Sequence, residues 1–279
     1  MRYSVHITNL CNLRCTYCYE DDKNDSNRNN FVISFEEIDR RFSEIYAAKD
    51  CHEIELLGGE IFLFLDKVEY IFNKYGNDFS FILTTNGTIR NKAIDDLISK
   101  YKPALGVSLD DPLTISQQRV GIDFDTVLAN AQYWKTITRV IIDVVITPQS
   151  IGRIKETFDF YVLTHGFSII HFGVVEEWMN DYYWQKYIKE VKRLIDTTDI
   201  DILKSVTISP WQHFSPSKKE IIYENGVEKM EIFNSKKMEI STYLLKKYEG
   251  HEYLCKKTGA MPDAFRPKDR EVVESNPFL

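Results

Sequence analysis

The sequence predicts an α/β protein built on a parallel sheet. Short runs rich in Val, Ile, Phe and Leu alternate with longer amphipathic stretches, six times over. That alternation is what strands joined by crossover helices produce. Punctuating residues such as Ser34, Gly76 and Pro148 fall between the runs, where helix caps and strand ends are needed. At 279 residues the chain suffices for one large α/β domain or a domain with an appendage.

The elements follow in order. Met1 to Ile7 alternates polar and apolar residues as a first strand. Ser34-Phe35-Glu36-Glu37 is a capping box that opens an amphipathic helix to about Lys49. Glu53–Leu57 is the second strand, and Phe62–Tyr75 a helix with Gly76 at its C-terminal cap. Phe79–Leu83 is the third strand, Asn91–Lys100 the third helix, and Ala104–Leu109 the fourth strand, followed by a helix near Asp125–Lys135. Arg139–Ile146, rich in Val and Ile, is the fifth strand, ended by Pro148. A helix around Ile151–Thr164 and a strand at Ser168–Val174 complete the sixth unit. Beyond Ile200 the signals mix: Ser235–Tyr248 has a helix's pattern, and the charged tail from Pro262 reads as extended. The domain reading is a core over residues 1–200 and a short mixed C-terminal extension over 201–279.

The chemistry concentrates at the first strand's end. Cys11, Cys15 and Cys18 lie within one run of eight residues. A 4Fe–4S cluster normally takes four protein thiolates, so a set of three leaves one iron open to a substrate or cofactor. The other readings are a zinc site completed by His6 or a remote residue and free buried thiols. Asn12, Arg14 and Thr16 between the cysteines suit an exposed loop, and no second Cys-x-x-Cys or His-x-x-x-His pair appears, which favours the cluster. The second strand runs directly into Gly58-Gly59-Glu60. Glycines there let the backbone approach a ligand, at the strand ends where α/β proteins bind ligands. The Glu60 carboxylate is then placed to accept from a ligand's ammonium group. Alone, Gly-Gly-Glu is a turn; after a three-cysteine loop it is more specific.

The Cys-x3-Cys-x2-Cys loop, with Tyr17 before its last cysteine, and the Gly58-Gly59-Glu60 strand end resemble the radical S-adenosylmethionine (radical SAM) superfamily. Cys11 to Glu20, Leu83-Thr84-Thr85-Asn86-Gly87, Val107-Ser108-Leu109-Asp110 and Arg119 are most similar to its sulfatase maturases and peptide-modifying enzymes. The resemblance implies a partial (β/α)6 barrel, one 4Fe–4S cluster on Cys11, Cys15 and Cys18, and SAM chelating the open iron. It implies Tyr17, Gly58, Gly59, Glu60, Asn86, Ser108 and Arg119 as cofactor contacts, with Ser108 and Arg119 directed at the ribose or carboxylate. It also implies reductive cleavage of SAM to a 5′-deoxyadenosyl radical, hydrogen abstraction from an unactivated carbon, and a flavodoxin- or ferredoxin-type electron donor. The expected substrate is a peptide or small protein, crosslinked or epimerised. A small-molecule transformation, a glycyl-radical activase and a zinc-bound assembly module are the alternatives.

Two features depart from the subgroup. Asp111 stands where its members often have Gly; Asp110 is expected to face the cavity as a catalytic candidate, and Asp111 to form a turn. Where the subgroup carries a cysteine-rich extension for auxiliary clusters, this chain has only Cys255, so one cluster is expected. Resemblance to peptide epimerases makes Cys255 a candidate hydrogen donor, against the reading of a packed thiol. Cys51 reads as structural. Trp178, Tyr182, Tyr183 and Trp184 either line a substrate cleft or pack a helix. Strand one opens the chain, so no separate leader-binding domain is expected.

Composition sets the exclusions. No run of eighteen apolar residues occurs, so no transmembrane helix is predicted, and the N-terminus lacks a signal peptide's pattern. Five cysteines, three of them in one loop, read as reduced thiols, which points to the cytoplasm. A net charge of −7 argues against general nucleic-acid binding.

Overall fold

The computed structural model describes residues 2–18, 30–49, 51, 53–175, 178–199, 201–202 and 207–209. β1 (Arg2–Thr8) leads into the cysteine loop, which holds the two-residue β2 (Arg14–Cys15). α1 (Phe35–Ala48), β3 (Glu53–Gly58), a 3-10 turn (Ile61–Phe64) and α2 (Leu65–Tyr75) follow. β4 (Ser80–Thr85), α3 (Lys92–Tyr101), β5 (Ala104–Ser108), α4 (Ile115–Gln118) and β6 (Arg119–Val120) come next. Then α5 (Phe124–Lys135), β7 (Val140–Ile146), a 3-10 turn (Ile151–Arg153) and α6 (Ile154–Phe158) precede a π-helical stretch, Asp159–Thr164. β8 (Ile169–Val174), α7 (Asp181–Thr197) and β9 (Thr207–Ser209) end the order.

Seven strands form one sheet in the order β1-β3-β4-β5-β7-β8-β9, each neighbouring pair parallel. All the strands expected from the sequence are in it, in chain order, as a partial β/α barrel requires. β9 is an addition, and it carries the sheet past residue 200, where the sequence reading ended the core. β2 and β6 pair antiparallel outside the sheet.

Local signals act mostly as read. Ser34 Oγ accepts from Glu37 N at 3.1 Å, but the reciprocal half of the capping box is absent because Glu37 bonds Arg40 and Arg41 instead. Asn91, Asp123 and Asn180 cap α3, α5 and α7 in the same way; such caps contribute about 1 kcal/mol each. The helix expected over Ile151–Thr164 is three pieces, and its π-helical part keeps Tyr161 and Val162 buried.

The two faces of the sheet differ. Val5, Ile7, Ile54, Leu56, Leu83, Leu105, Val107, Ile142, Val144, Ile170 and Phe172 alternate along the strands on the helix-covered face, none more than 4% exposed. On the other face Ile82, Ala104, Ile141 and Ile169 make a small apolar floor. Polar residues stand above it on the same strands, because side chains two apart share a face. Among the described residues no helix is long and apolar enough to cross a membrane. Cys255, the Ser235–Tyr248 helix and the tail from Pro262 lie outside the described residues.

Candidate active site at the strand ends

The cysteine loop is stapled to the carboxyl ends of its neighbours. Gly59 N donates to Thr8 O at 2.7 Å and Glu60 N to Leu10 O at 2.8 Å. A Cβ at Gly58 would lie 2.1 Å from Thr8 O, and one at Gly59 2.1 Å from Leu10 O. Gly58 also has φ +146°, a conformation that favours glycine. The glycines thus admit the backbone of the cysteine loop itself, a use the sequence reading, which reserved that space for a ligand, did not anticipate. On the far side Cys15 pairs with Arg119 and Arg14 with Val120, and Thr16 N donates to Gln118 O at 2.8 Å.

Glu60 is fully buried. Its carboxylate accepts from Asn86 N at 2.7 Å, Thr85 Oγ1 at 2.8 Å and Phe62 N at 3.0 Å. Burial nevertheless pushes its carboxyl above the usual range, against the pull of those donors. In the structure this carboxylate joins the end of β3 to the end of β4. It holds Asn86, whose Nδ2 lies 2.8 Å from Asn12 Oδ1 and 3.6 Å from Cys11 Sγ.

Asp110 is fully buried rather than cavity-facing. Arg119 donates to it from Nε at 3.0 Å and Nη2 at 3.1 Å. Val145 N donates to Oδ1 at 2.9 Å, the Tyr17 hydroxyl donates to Oδ2, and Tyr161 OH donates to the backbone oxygen at 2.6 Å. A carboxylate so surrounded has no room to exchange protons with a substrate. Arg119 is buried at 5% exposure, so it is no surface cation. Burial works most strongly against its charge, but Asp110, Tyr17 and Cys15 together outweigh it and hold the guanidinium well above its usual range. Its Nη1 is 4.0 Å from Cys15 Sγ. Asp111 points the other way, to Arg153 Nε at 3.0 Å and Thr157 Oγ1 at 3.1 Å, while its carbonyl takes the amides of Thr114 and Ile115 as a turn should.

Tyr17 sits edge-on to Trp178, ring centroids 6.4 Å apart. The aromatic group of the sequence divides: Trp184 is buried in the core and Tyr182 is 66% exposed. Cys51 is partly buried and donates to Glu53 O at 3.6 Å. Ser108 is 8% exposed and lies opposite Asp143 in the ladder. Asp143 and His171, whose Oδ1 and Nδ1 are 2.9 Å apart, were missed. A lone acid in the middle of Val140–Ile146 was the available signal.

A family model described as the radical SAM superfamily matches residues 5–161. The chain belongs to the radical SAM superfamily. GTP 3′,8-cyclase of Clostridium perfringens is 32% identical over 109 residues, 38% of this chain and 33% of that protein. The Campylobacter jejuni enzyme of the same name is 32% identical over 110 residues, again 38% and 33%. This radical SAM chain therefore matches about a third of the length of those curated relatives. Among solved structures, native anSMEcpe with bound AdoMet superposes with a TM-score of 0.62 at 21% identity, over 75% of this chain and 64% of that one. Streptococcus suis SuiB bound to precursor peptide SuiA gives 0.58 at 17%, over 76% and 48%. Both are likenesses of fold. As a radical SAM enzyme, the chain has a 4Fe–4S cluster and SAM as its cofactors, which displaces the zinc-module alternative.

The donor set suits such a cluster. Burial pushes the Cys15 thiol up to about 11; Arg119 opposes that shift, and Cys18, Asp110 and Cys11 add to it. The three thiols are thus close enough to act on one another, and a buried thiol of this kind ionises when a metal supplies positive charge. Among the described residues no three His, Cys, Asp or Glu side chains converge on one point. Cys11 and Cys18 are partly exposed.

Proposed function

We propose that this enzyme abstracts hydrogen from an unactivated carbon of a peptide, giving a crosslinked or epimerised product. Cys11, Cys15 and Cys18 would hold the cluster, and the Asn86 amide and Arg119 guanidinium beside Cys11 and Cys15 would balance its charge. Ser108, on the lumen side of β5, is the readiest contact for SAM; Gly58, Gly59 and Glu60 act by fixing the loop and Asn86. Tyr17, held by Asp110 and Trp178, would wall the space above the loop. When bound, the cluster would supply the electron that splits SAM.

The observation that carries this reading is the loop itself: three cysteines within eight residues, on a segment clamped by Gly58-Gly59 on one side and β6 on the other. The peptide assignment draws on neighbours solved with peptides, SuiB with SuiA and anSMEcpe with Kp18Cys peptide. A small-molecule substrate is the second reading, favoured by the stretch shared with GTP 3′,8-cyclases. Anaerobic reconstitution tests the first step: about four irons and four sulfides per chain are expected, with 5′-deoxyadenosine released on reduction with SAM. Changing Cys11, Cys15 or Cys18 to Ala abolishes the release; a colourless zinc protein overturns the reading. Cys255 is the proposed hydrogen donor, so Cys255→Ala should still release 5′-deoxyadenosine but stall the product. Unaltered turnover removes it from that role.

A further inference from the structure

We infer that the Gln118 carboxamide reads the adenine edge of SAM, accepting from its exocyclic amine and so selecting adenine over other purines. This deepens the cofactor side of the reading above, on which it rests, and is independent of whether the substrate is a peptide.

Gln118 ends α4, one residue before Arg119, and is 4% exposed. Its backbone joins the cysteine loop, since Thr16 N donates to Gln118 O at 2.8 Å. Its side chain reaches the end of β7, where Nε2 donates to Thr147 Oγ1 at 2.6 Å. The amide is thus held between the loop that carries Cys11, Cys15 and Cys18 and the rim of the sheet. Thr147 is itself occupied: Ser150 N donates to its Oγ1 at 3.3 Å, and Thr147 N donates to Ser150 Oγ at 2.9 Å. The groups that anchor the amide are satisfied by one another.

One end of the amide is not. Among the described residues Gln118 Oε1 is the one buried side-chain nitrogen or oxygen with no hydrogen-bond partner. Buried polar atoms are normally paired, and each exception needs a reason. The molecule that comes to this loop is SAM. In the reading above its methionyl end goes to the iron that three cysteines leave open, and Ser108 takes its ribose or carboxylate. The adenine remains, and its edge sets the N6 amine beside ring-nitrogen acceptors. A Gln amide is the side chain that matches such an edge, an acceptor next to a donor. Here Oε1 is open, and Nε2 carries a second hydrogen besides the one given to Thr147. Hypoxanthine has a carbonyl in place of the amine and would set two acceptors against each other. Because the oxygen is buried, a base that leaves it unpaired is penalised more than it would be in water.

The test measures binding to the anaerobically reconstituted enzyme, without reductant, so that SAM stays intact. Calorimetry compares SAM with two analogues altered only in the base: purine, which lacks the amine, and hypoxanthine. SAM is expected to bind about tenfold more tightly than the purine analogue, the scale of one hydrogen bond to a buried group, and the hypoxanthine analogue more weakly still. Gln118→Met, close in size but without the amide, should bring SAM and the purine analogue within about twofold of each other. Thr147→Val, which frees the amide from its anchor, should lower the preference without removing it, and it decides the matter should Gln118→Met lose its cluster. Equal binding of all three ligands by the unaltered enzyme overturns the inference. So does a preference that survives unchanged in Gln118→Met or Thr147→Val, in which case the oxygen serves an internal water. If SAM does not bind at all, the cofactor placement falls; if it binds with no preference for its base, this inference alone does.

Discussion

Ile142 and Asp143 are consecutive in β7, yet they face different worlds. Ile142 points to the helices and is fully buried among aliphatic neighbours; Asp143 points into the sheet's curve, paired with His171. The same holds for Leu83 and Thr84, and for Ile170 and His171. One face supplies the burial that holds the fold, at about 1.5–3 kcal/mol per buried aliphatic side chain. Its reverse pairs its polar groups with one another, Thr84 with Glu55 and Asp143 with His171. The lesson is that a strand's period of two lets an apolar and a polar layer be set independently, residue by residue.

Substitutions on either side of that division should behave differently. The largest effect is expected from Ile142→Asn, which puts an unpartnered amide in the apolar layer; a loss of 4 kcal/mol or more would leave little folded protein by circular dichroism. Retention of a cooperative melt near the parent's would break the comparison. Arg119→Met comes next, at the rim where packing and charge meet. Leaving Asp110 buried without its cation should cost about 3–5 kcal/mol in urea unfolding, and adding Asp110→Asn should recover part of it. Glu60→Ala strips the acceptor from Asn86, Phe62 and Thr85, so a loss of roughly 1–3 kcal/mol should accompany weaker retention of iron on gel filtration. The smallest effect belongs to the outer surface. Asp39 ties α1 to α2 through Lys74 Nζ, Tyr75 OH and Tyr70 OH. The Lys74 and Tyr75 donors hold its carboxyl down at about 2, below the ordinary 3.8. Its contribution is therefore present above about pH 4 and lost as pH falls toward 2; Asp39→Asn should flatten that stretch of a melting-temperature profile, and an unchanged slope would remove the assignment.

The framework was legible because burial writes itself into sequence. Val140–Ile146 reads as a strand from its aliphatic run, and the cysteine loop from its spacing. What escaped was whatever depends on partners distant in the chain. Nothing near Gly59 says that Leu10 O lies where its Cβ would be, and nothing near Asp110 says that Arg119, Tyr17 and Val145 close around it. Sequence reasoning aimed both at a ligand, and said nothing of the part both take in holding the loop. β2 and β6, two residues each, are too short to leave a pattern. Asp143 left one, a lone charge in a buried strand, but its meaning needed His171 from the next strand.

Asp110 has a consequence of its own. Four separate parts of the chain lean on this one residue: the cysteine turn through Tyr17, β6 through Arg119, β7 through Val145, and the π-helical stretch through Tyr161. A disturbance in any of them is mechanically shared with the rest, so losing iron from the turn should loosen amide protection at Val145 and around Tyr161, more than twenty residues away in sequence from either end of the ion pair. The keystone of the rim is a side chain that never meets solvent.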